Sequence, residues 1–316
     1  MKFKAARIYT LKQPLDLSTF DEDLAKLAFV PCSGLRAESA GWVAPFDGAP
    51  GLFRDAREAI ALKLRKQKKA IPASALADAL KEKVDKHTEL FGSAPSVKVK
   101  RDLKDDCIAE MTPDALPVTA SIDMLIFDKF ICIGTSSAAD AELALTTLRS
   151  TLGTLPVLPL ASCNEPKEAF TEWLSDYASP EGTFLGCNFD LIDSQHGSKA
   201  KFRSVEPSED VTGLIRDGMS CTKIQLSTQD LHFSVDNNLA FSSIIDRREI
   251  SDEIDAEEDP DARYDADVIL AADMLRLLIN TTITALGGSP ESTEKELLAP
   301  PFHSNCPLIY LFDLID

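Results

Sequence analysis

Groups able to hold a metal, attack a substrate or move a proton are widely separated in this chain. Cys32, Cys107, Cys132, Cys163, Cys187, Cys221 and Cys306 form no C-x-x-C pair, and His87, His196, His232 and His303 form no H-E-x-x-H pair. Such spacing supports neither a zinc site nor a disulfide framework. The cysteines read instead as small apolar fillers in a reduced compartment. No G-x-x-x-x-G-K-[ST], G-x-G-x-x-G or G-x-S-x-G occurs, which argues against nucleotide hydrolysis by a phosphate loop. Spacing alone nominates no Ser-His or Cys-His pair.

Two charged stretches remain. Between Asp246 and Asp267 stand eleven Asp or Glu and three Arg. Asp252, Glu253, Asp255, Glu257, Glu258 and Asp259 are hard oxygen donors of the kind magnesium or calcium takes, and a two-metal nuclease would use such groups. Their spacing fits no familiar metal loop, and a solvated acidic surface is the simpler reading. An electrostatic guide that repels a polyanion from an outer face is a third.

The opposite stretch is KLRKQKKAIPASALADALKEKVDKH, Lys63 to His87, in which five of the first seven residues are basic. From Arg54 to Lys104 there are fourteen Lys or Arg against seven Asp or Glu, inside a chain whose formal net charge is -18. Lysines beside an amphipathic helix are commonly its wet side. The functional alternative is a phosphate-tracking surface, where Lys and Arg neutralise a nucleic-acid backbone without regard to sequence. Its members would be Lys63, Arg65, Lys66, Lys68, Lys69, Lys81, Lys83, Lys86, Lys98, Lys100, Arg101 and Lys104. Only Phe53 and Phe91 accompany them, so no stacking platform for single strands is evident and duplex backbone is the better ligand. No helix-turn-helix, zinc finger or basic zipper is present to read bases. Lys199, Lys201 and Arg203 form a second cluster, sharing one face if the segment is a strand.

The elements that would position these groups follow from period and punctuation. Residues 3–11 predict an opening strand. Ser18 to Asp21 predicts a capping box ahead of a short helix, and 27–46 a structured loop around Trp42. Residues 57–66 fit either period. A helix opens near Ser74 with Leu76, Leu80, Val84 and His87 on one stripe and stops at Gly92. Residues 121–135 predict two strands joined at Asp128-Lys129, 136–153 a helix with a Ser cap and a Gly stop, and 156–160 a short extended segment. Helices follow at 165–174 and 208–216, with 179–201 turn-rich between them. Residues 219–227, 230–235 and 239–245 predict three antiparallel strands, and 266–286 a long helix closed by Gly287-Gly288. Strands and helices mix without regular alternation, which predicts an α+β fold of mixed helices and mainly antiparallel sheets.

A hydrophobic fraction of 44% and a mean hydropathy of -0.07 fit a globular chain. No apolar run is expected to reach the ~20 residues that span a bilayer, and the N-terminus lacks a signal-peptide core. A cytoplasmic location and no membrane partner are expected. A pI near 4.7 argues against a surface basic throughout, but not against a local basic face.

Six segments resemble the bacterial recombination-associated RdgC family, in its order and at about its spacing. They are LAFVPCSGLRAESAGWVAP (27–45), IPASALADALKEKV (71–84), LRSTLGTLPVLPL (148–160), Thr171-Glu172-Trp173, CTKIQLS (221–227) and ARYDADVILAADMLRLL (262–278). The resemblance covers roughly 1–288. It implies a non-enzymatic protein with no cofactor and no metal, forming a ring-shaped two-fold homodimer. The ring would pass duplex DNA through a basic hole, take single-stranded DNA as a further ligand, and restrain RecA-dependent recombination as a nucleoid-associated protein. The expected organisation is 1–70 with 118–165 as a central α+β region, 71–117 as a basic helical tip region, 166–288 as a base α+β region, and 289–316 as an extension outside the match. Carried over by residue, Lys69, Lys81, Lys83 and Lys86 become candidate phosphate contacts, Lys98, Lys100, Arg101 and Lys104 match a Lys-rich stretch of the family, and Lys199, Lys201 and Arg203 fall near another basic segment. One segment, MTPDALPVT (111–119), departs from the family: Leu116 replaces an aromatic and Asp114 stands where a base is expected. Leu116 and Val118 are the candidate dimer contact there. A metal-dependent nuclease and a protein-interaction inhibitor of a recombinase are the rival readings.

Overall fold

The computed structural model describes residues 1–34, 36–57, 59–248 and 259–290. Among them are twelve strands, β1 (Ala5–Leu11), β2 (Glu38–Val43), β3 (Phe53–Asp55), β4 (Ile60–Lys69), β5 (Pro117–Phe127), β6 (Phe130–Ile133), β7 (Val157–Pro159), β8 (Phe184–Asp193), β9 (Lys199–Phe202), β10 (Met219–Ser227), β11 (Leu231–Asp236) and β12 (Phe241–Asp246). Seven helices accompany them: α1 (Phe20–Lys26), α2 (Ala73–Phe91), α3 (Val97–Met111), α4 (Ala138–Leu152), α5 (Pro166–Ser175), α6 (Glu209–Arg216) and α7 (Pro260–Ala285). The strands pair antiparallel in the order β2-β4-β5-β6-β1-β12-β11-β10-β8-β9, with β3 added to β4 and β7 to β1. The fold is α+β, as the mixing of periods predicts.

β1 joins the two halves of the sheet. Arg7 to Thr10 pair with β6, whereas Ala5 and Ala6 pair with β12. Alternation along the first half sorts its side chains onto two faces. Ile60, Leu62 and Leu64 of β4, with Met124 and Ile126 of β5, pack under α1 and α4 in one cluster. Ala61, Leu125 and Phe127 face the other way, into a cluster shared with the second half-sheet, α5 and α7. Residues from both sides of position 165 contribute to that second cluster.

α7 carries Val268, Ala272, Leu275, Ile279 and Ile283 as its buried stripe. It corrects the expectation that no segment is long and apolar enough to span a bilayer, because its 26 residues meet that criterion by length and composition. Here it serves as a core helix, and its charged residues are tied down. Arg54 of β3 reaches Asp265 at 2.7 Å and Asp261 at 3.0 Å, and Arg276 reaches Asp128 in the β5–β6 turn at 2.8 Å.

Three other expectations change. The segment 27–46 contains β2, and Trp42 is buried, donating from Nε1 to Thr151 Oγ1 at 2.9 Å. Gly41 is required beside it, since a Cβ there would lie 2.5 Å from the Phe29 Cα of the crossing chain. The turn-rich reading of 179–201 gives way to β8 and β9, which weak periodicity concealed because β8 has half-buried residues on both faces. The capping box does not form. Thr19 is the N-cap and its hydroxyl bonds Asp23, while the Ser18 amide donates to Asp16. Cys107, Cys132 and Cys221 are buried fillers, and burial pushes the Cys221 thiol up to about 12. Cys163 is exposed instead. Cys306, the carboxylates 252–258 and the tail from 291 onward lie outside the described residues.

Candidate nucleic-acid interface

α2 and α3 form a hairpin that leaves the sheet after β4 and returns to it at β5. Gly92 ends α2 in the left-handed region at φ +68°, and Ser96 caps α3 by accepting from the Val99 amide. The predicted stripe of Leu76, Leu80, Val84 and His87 is half-buried where α2 packs on α3, and no α2 residue is fully buried. Polar contacts therefore do much to hold the hairpin to the body.

The clearest of them is Lys69. Its ammonium donates to the Gly34 carbonyl at 2.8 Å, to Thr112 at 2.8 Å and to Pro113 at 2.9 Å. Thr112 and Pro113 stand at the C-terminus of α3, where free carbonyls and the helix dipole favour a cation. Lys69 is placed as a staple between β4 and α3.

Other candidates also have internal partners. Lys63 bonds the Pro45 carbonyl and lies 3.7 Å from Asp123, directly across the β4–β5 pair. Lys66 is bonded to Asp140 in the first turn of α4. Lys68 pairs with Glu38 on β2 at 2.6 Å. Arg65 is exposed, with its guanidinium 5.7 Å from the Phe29 ring centre.

The three α2 lysines do not share a face, because about 100° of turn per residue separates them. Lys83 turns inward to Glu110 of α3 at 2.8 Å, and that bond raises its pKa. Lys86 pairs with Glu82 one turn back at 2.6 Å. Lys81 is exposed and has no side-chain partner among the described residues.

α3 is arranged differently. Lys100 and Lys104 lie one turn apart with Arg101 beside them, all within about a third of the helix circumference. Lys98 stands on the adjacent side. All four are exposed, and their side chains have no hydrogen-bond or ion-pair partner among the described residues. Asp102, Asp106 and Glu110 turn to the opposite flank, while Asp105 stays near Arg101. The basic strip of α3 thus gathers four cations free to meet an outside anion, where α2 offers Lys81 alone.

In the second half-sheet, Lys199 and Lys201 point outward from β9 as predicted, while Ala200 and Phe202 are half-buried on the other face. Arg203 is turned back onto Asp190 at 2.7 Å and the Phe202 carbonyl at 2.6 Å. Lys167, from the first turn of α5, reaches the same region and donates to Ser194 Oγ at 2.8 Å. Sequence reading missed it, since it is a lone lysine far from the cluster in the chain.

Leu116 and Val118 are 81% and 61% exposed, beside the end of the β4–β5 ribbon. β6 pairs with β5 only from Met124 to Phe127, which leaves the outer edge of Val118 to Ser121 without a strand partner among the described residues. At the far end of the hairpin, Leu90, Phe91 and Val97 are also largely exposed. Leu90 and Phe91 close α2 and Val97 opens α3, and sequence reading noted only Phe91 among them, as a ring beside the basic run.

A family model described as "Putative exonuclease, RdgC" matches residues 1–289. The Recombination-associated protein RdgC of Tolumonas auensis is 30% identical over 302 residues, covering 91% of this chain and 99% of that one. The protein of the same name from Proteus mirabilis is 31% identical over 308 residues, with 92% and 99% covered. That of Haemophilus influenzae is 30% identical over 301 residues, with 91% and 98% covered.

Proposed function

Because this chain belongs to the RdgC family, we propose that it is a duplex DNA-binding protein that holds the DNA backbone without sequence preference and restrains RecA-dependent recombination in the nucleoid. The observation that carries this reading is the α3 strip. Lys98, Lys100, Arg101 and Lys104 are exposed and unpartnered among the described residues of a chain at net charge -18. Unpaired cations in an acidic chain are where phosphates gain most, since elsewhere the surface repels them. No base-reading element accompanies the strip, which favours backbone contact alone.

Fluorescence anisotropy with two unrelated duplexes of equal length, titrated with salt and without metal, tests it. Equal affinities that fall steeply with salt are expected, at a log–log slope near -0.9 per phosphate neutralised. Absence of binding at low salt overturns the reading.

The second reading is the exonuclease activity in the family model's description. The described residues hold no cluster of metal-ligating side chains; of the six candidate carboxylates, Asp259 caps α7 and the other five lie outside the described residues. Adding magnesium to the same labelled duplexes separates the two readings. Intact DNA is expected, and degradation abolished by a chelator establishes the nuclease.

A homodimeric ring belongs to the same proposal. The exposed Leu116 and Val118, with the unpartnered edge of β5 between Val118 and Ser121, are apolar and hydrogen-bonding surface that a second copy would cover. The Leu116→Asp, Val118→Asp double variant is expected to sediment as a monomer where the parent sediments as a dimer. A dimer of undiminished stability in the variant removes this contact from the interface.

A further inference from the structure

We infer that the cleft between β9 and the N-terminus of α5 is a separate phosphate-binding site, shaped for one nucleotide unit of a flexible single strand. This rests on the DNA-binding reading above and adds a second ligand geometry to it. The cleft has a volume of about 470 Å³, and its lining includes Lys167, Lys199, Lys201, Asp190, Ser194 and Thr222.

Its charge sets the ligand. Asp190 is the acidic residue of the lining, and its carboxylate is already engaged by Arg203 at 2.7 Å. Lys199 and Lys201 have no side-chain partner among the described residues. Lys167 gives one of its three donors to the neutral Ser194 hydroxyl. Three ammonium groups thus line one concavity whose one lining carboxylate, Asp190, already faces the Arg203 guanidinium, and the partner they call for is an anion rich in acceptor oxygens.

The walls decide which anion. A pocket of several hundred cubic ångströms accepts a ligand larger than one phosphate, yet it is far narrower than a duplex. No aromatic residue lines it, so bases have nothing to stack on. A sugar-phosphate unit of an unpaired strand matches both facts. The rim is held in shape as well. Asp193 at the end of β8 accepts from the Gln195 amide at 2.8 Å and the His196 amide at 3.2 Å, and Thr222 donates to the Asp190 carbonyl at 3.2 Å. The α3 strip, by contrast, lies on a convex helix surface that a duplex can approach.

The Lys199→Ala, Lys201→Ala double variant of the full chain provides the test. Its ligands are a labelled oligothymidylate of about ten nucleotides, an abasic deoxyribose-phosphate strand of equal length, and a duplex. Affinity for both single strands is expected to fall about 25-fold at roughly 0.1 M salt, with the salt slope reduced by about 1.4, the loss of two single-strand phosphate contacts. Duplex affinity is expected to stay unchanged. Undiminished single-strand binding overturns the site, as does an equal loss on duplex. Loss on oligothymidylate alone, with the abasic strand unaffected, overturns the phosphate assignment in favour of base recognition. Failure of the parent protein to bind duplex removes the function proposed above as well, whereas duplex binding without the selective loss removes the cleft alone.

Discussion

Joint replacement of Lys100, Arg101 and Lys104 by Glu is expected to reduce duplex affinity by at least a few hundredfold at roughly 0.1 M salt, equally for every sequence. Each neutralised phosphate contributes about 0.9 to the log–log salt slope, so removing three reduces that slope by about 2.7. The loss grows as salt is lowered and fades as it is raised. The same change at Lys81, Lys83 and Lys86 is expected to do much less. Lys83 and Lys86 already face Glu110 and Glu82, and reversing them removes internal ion pairs. Lys69→Met is the sharper control. It strips the staple from the Thr112 and Pro113 carbonyls and lowers unfolding stability by about 1–3 kcal/mol, while the salt slope stays that of the parent. Salt titration of all three variants, with urea unfolding alongside, separates cations that meet DNA from cations that hold the fold. Duplex affinity unchanged by the α3 replacement places the DNA elsewhere.

Trp42→Ala is expected to cost about 3–5 kcal/mol, a large share of the roughly 5–15 kcal/mol that keeps a domain folded. Trp42 is 1% exposed, and its ring fills the cluster beneath α1 and α4. Relaxation into the vacated space is limited on one side, because Gly41 already brings β2 against the Phe29 backbone. Trp42→Phe keeps most of the volume and removes only the bond to Thr151, whose hydroxyl retains the Thr147 carbonyl as its acceptor. A loss near 1 kcal/mol is expected there. Urea midpoints for the two variants check the ratio. Comparable losses would place the stability of this region in the hydrogen bond rather than in the packing.

The strongly periodic elements were legible from residue order alone. The β5–β6 hairpin, the Ser-capped α4, the β10–β12 meander and α7 each follow from a period and a stop signal. β2 and β8 were not. The Gly and Pro around β2 imitate a loop, and Gly41 is there for a close chain crossing rather than for a turn. For β8, half-burial on both faces erases alternation.

The candidate site divides in the same way. Residue type identified where positive charge gathers, but not which cations are already engaged. Lys63, Lys66 and Lys69 stand in one basic run with Lys68, yet their partners Asp123, Asp140 and the Thr112 carbonyl come from segments more than forty residues away. Only the fold brings those partners to the lysines. The same distance hid Lys167, which has no basic neighbour in sequence and gains two in space.

The hairpin of α2 and α3 holds its charges outside the buried core, since α2 has no fully buried residue and α3 buries only Cys107. Exchanging one charged residue for another on its exposed surface leaves the packing beneath α1, α4 and α7 undisturbed. Under the proposed function, selection on how tightly the chain grips a polyanion and selection on whether it folds act on different residues. A lineage would then raise or lower its grip by drifting at Lys98, Lys100, Arg101 and Lys104 while the core sequence stays constrained.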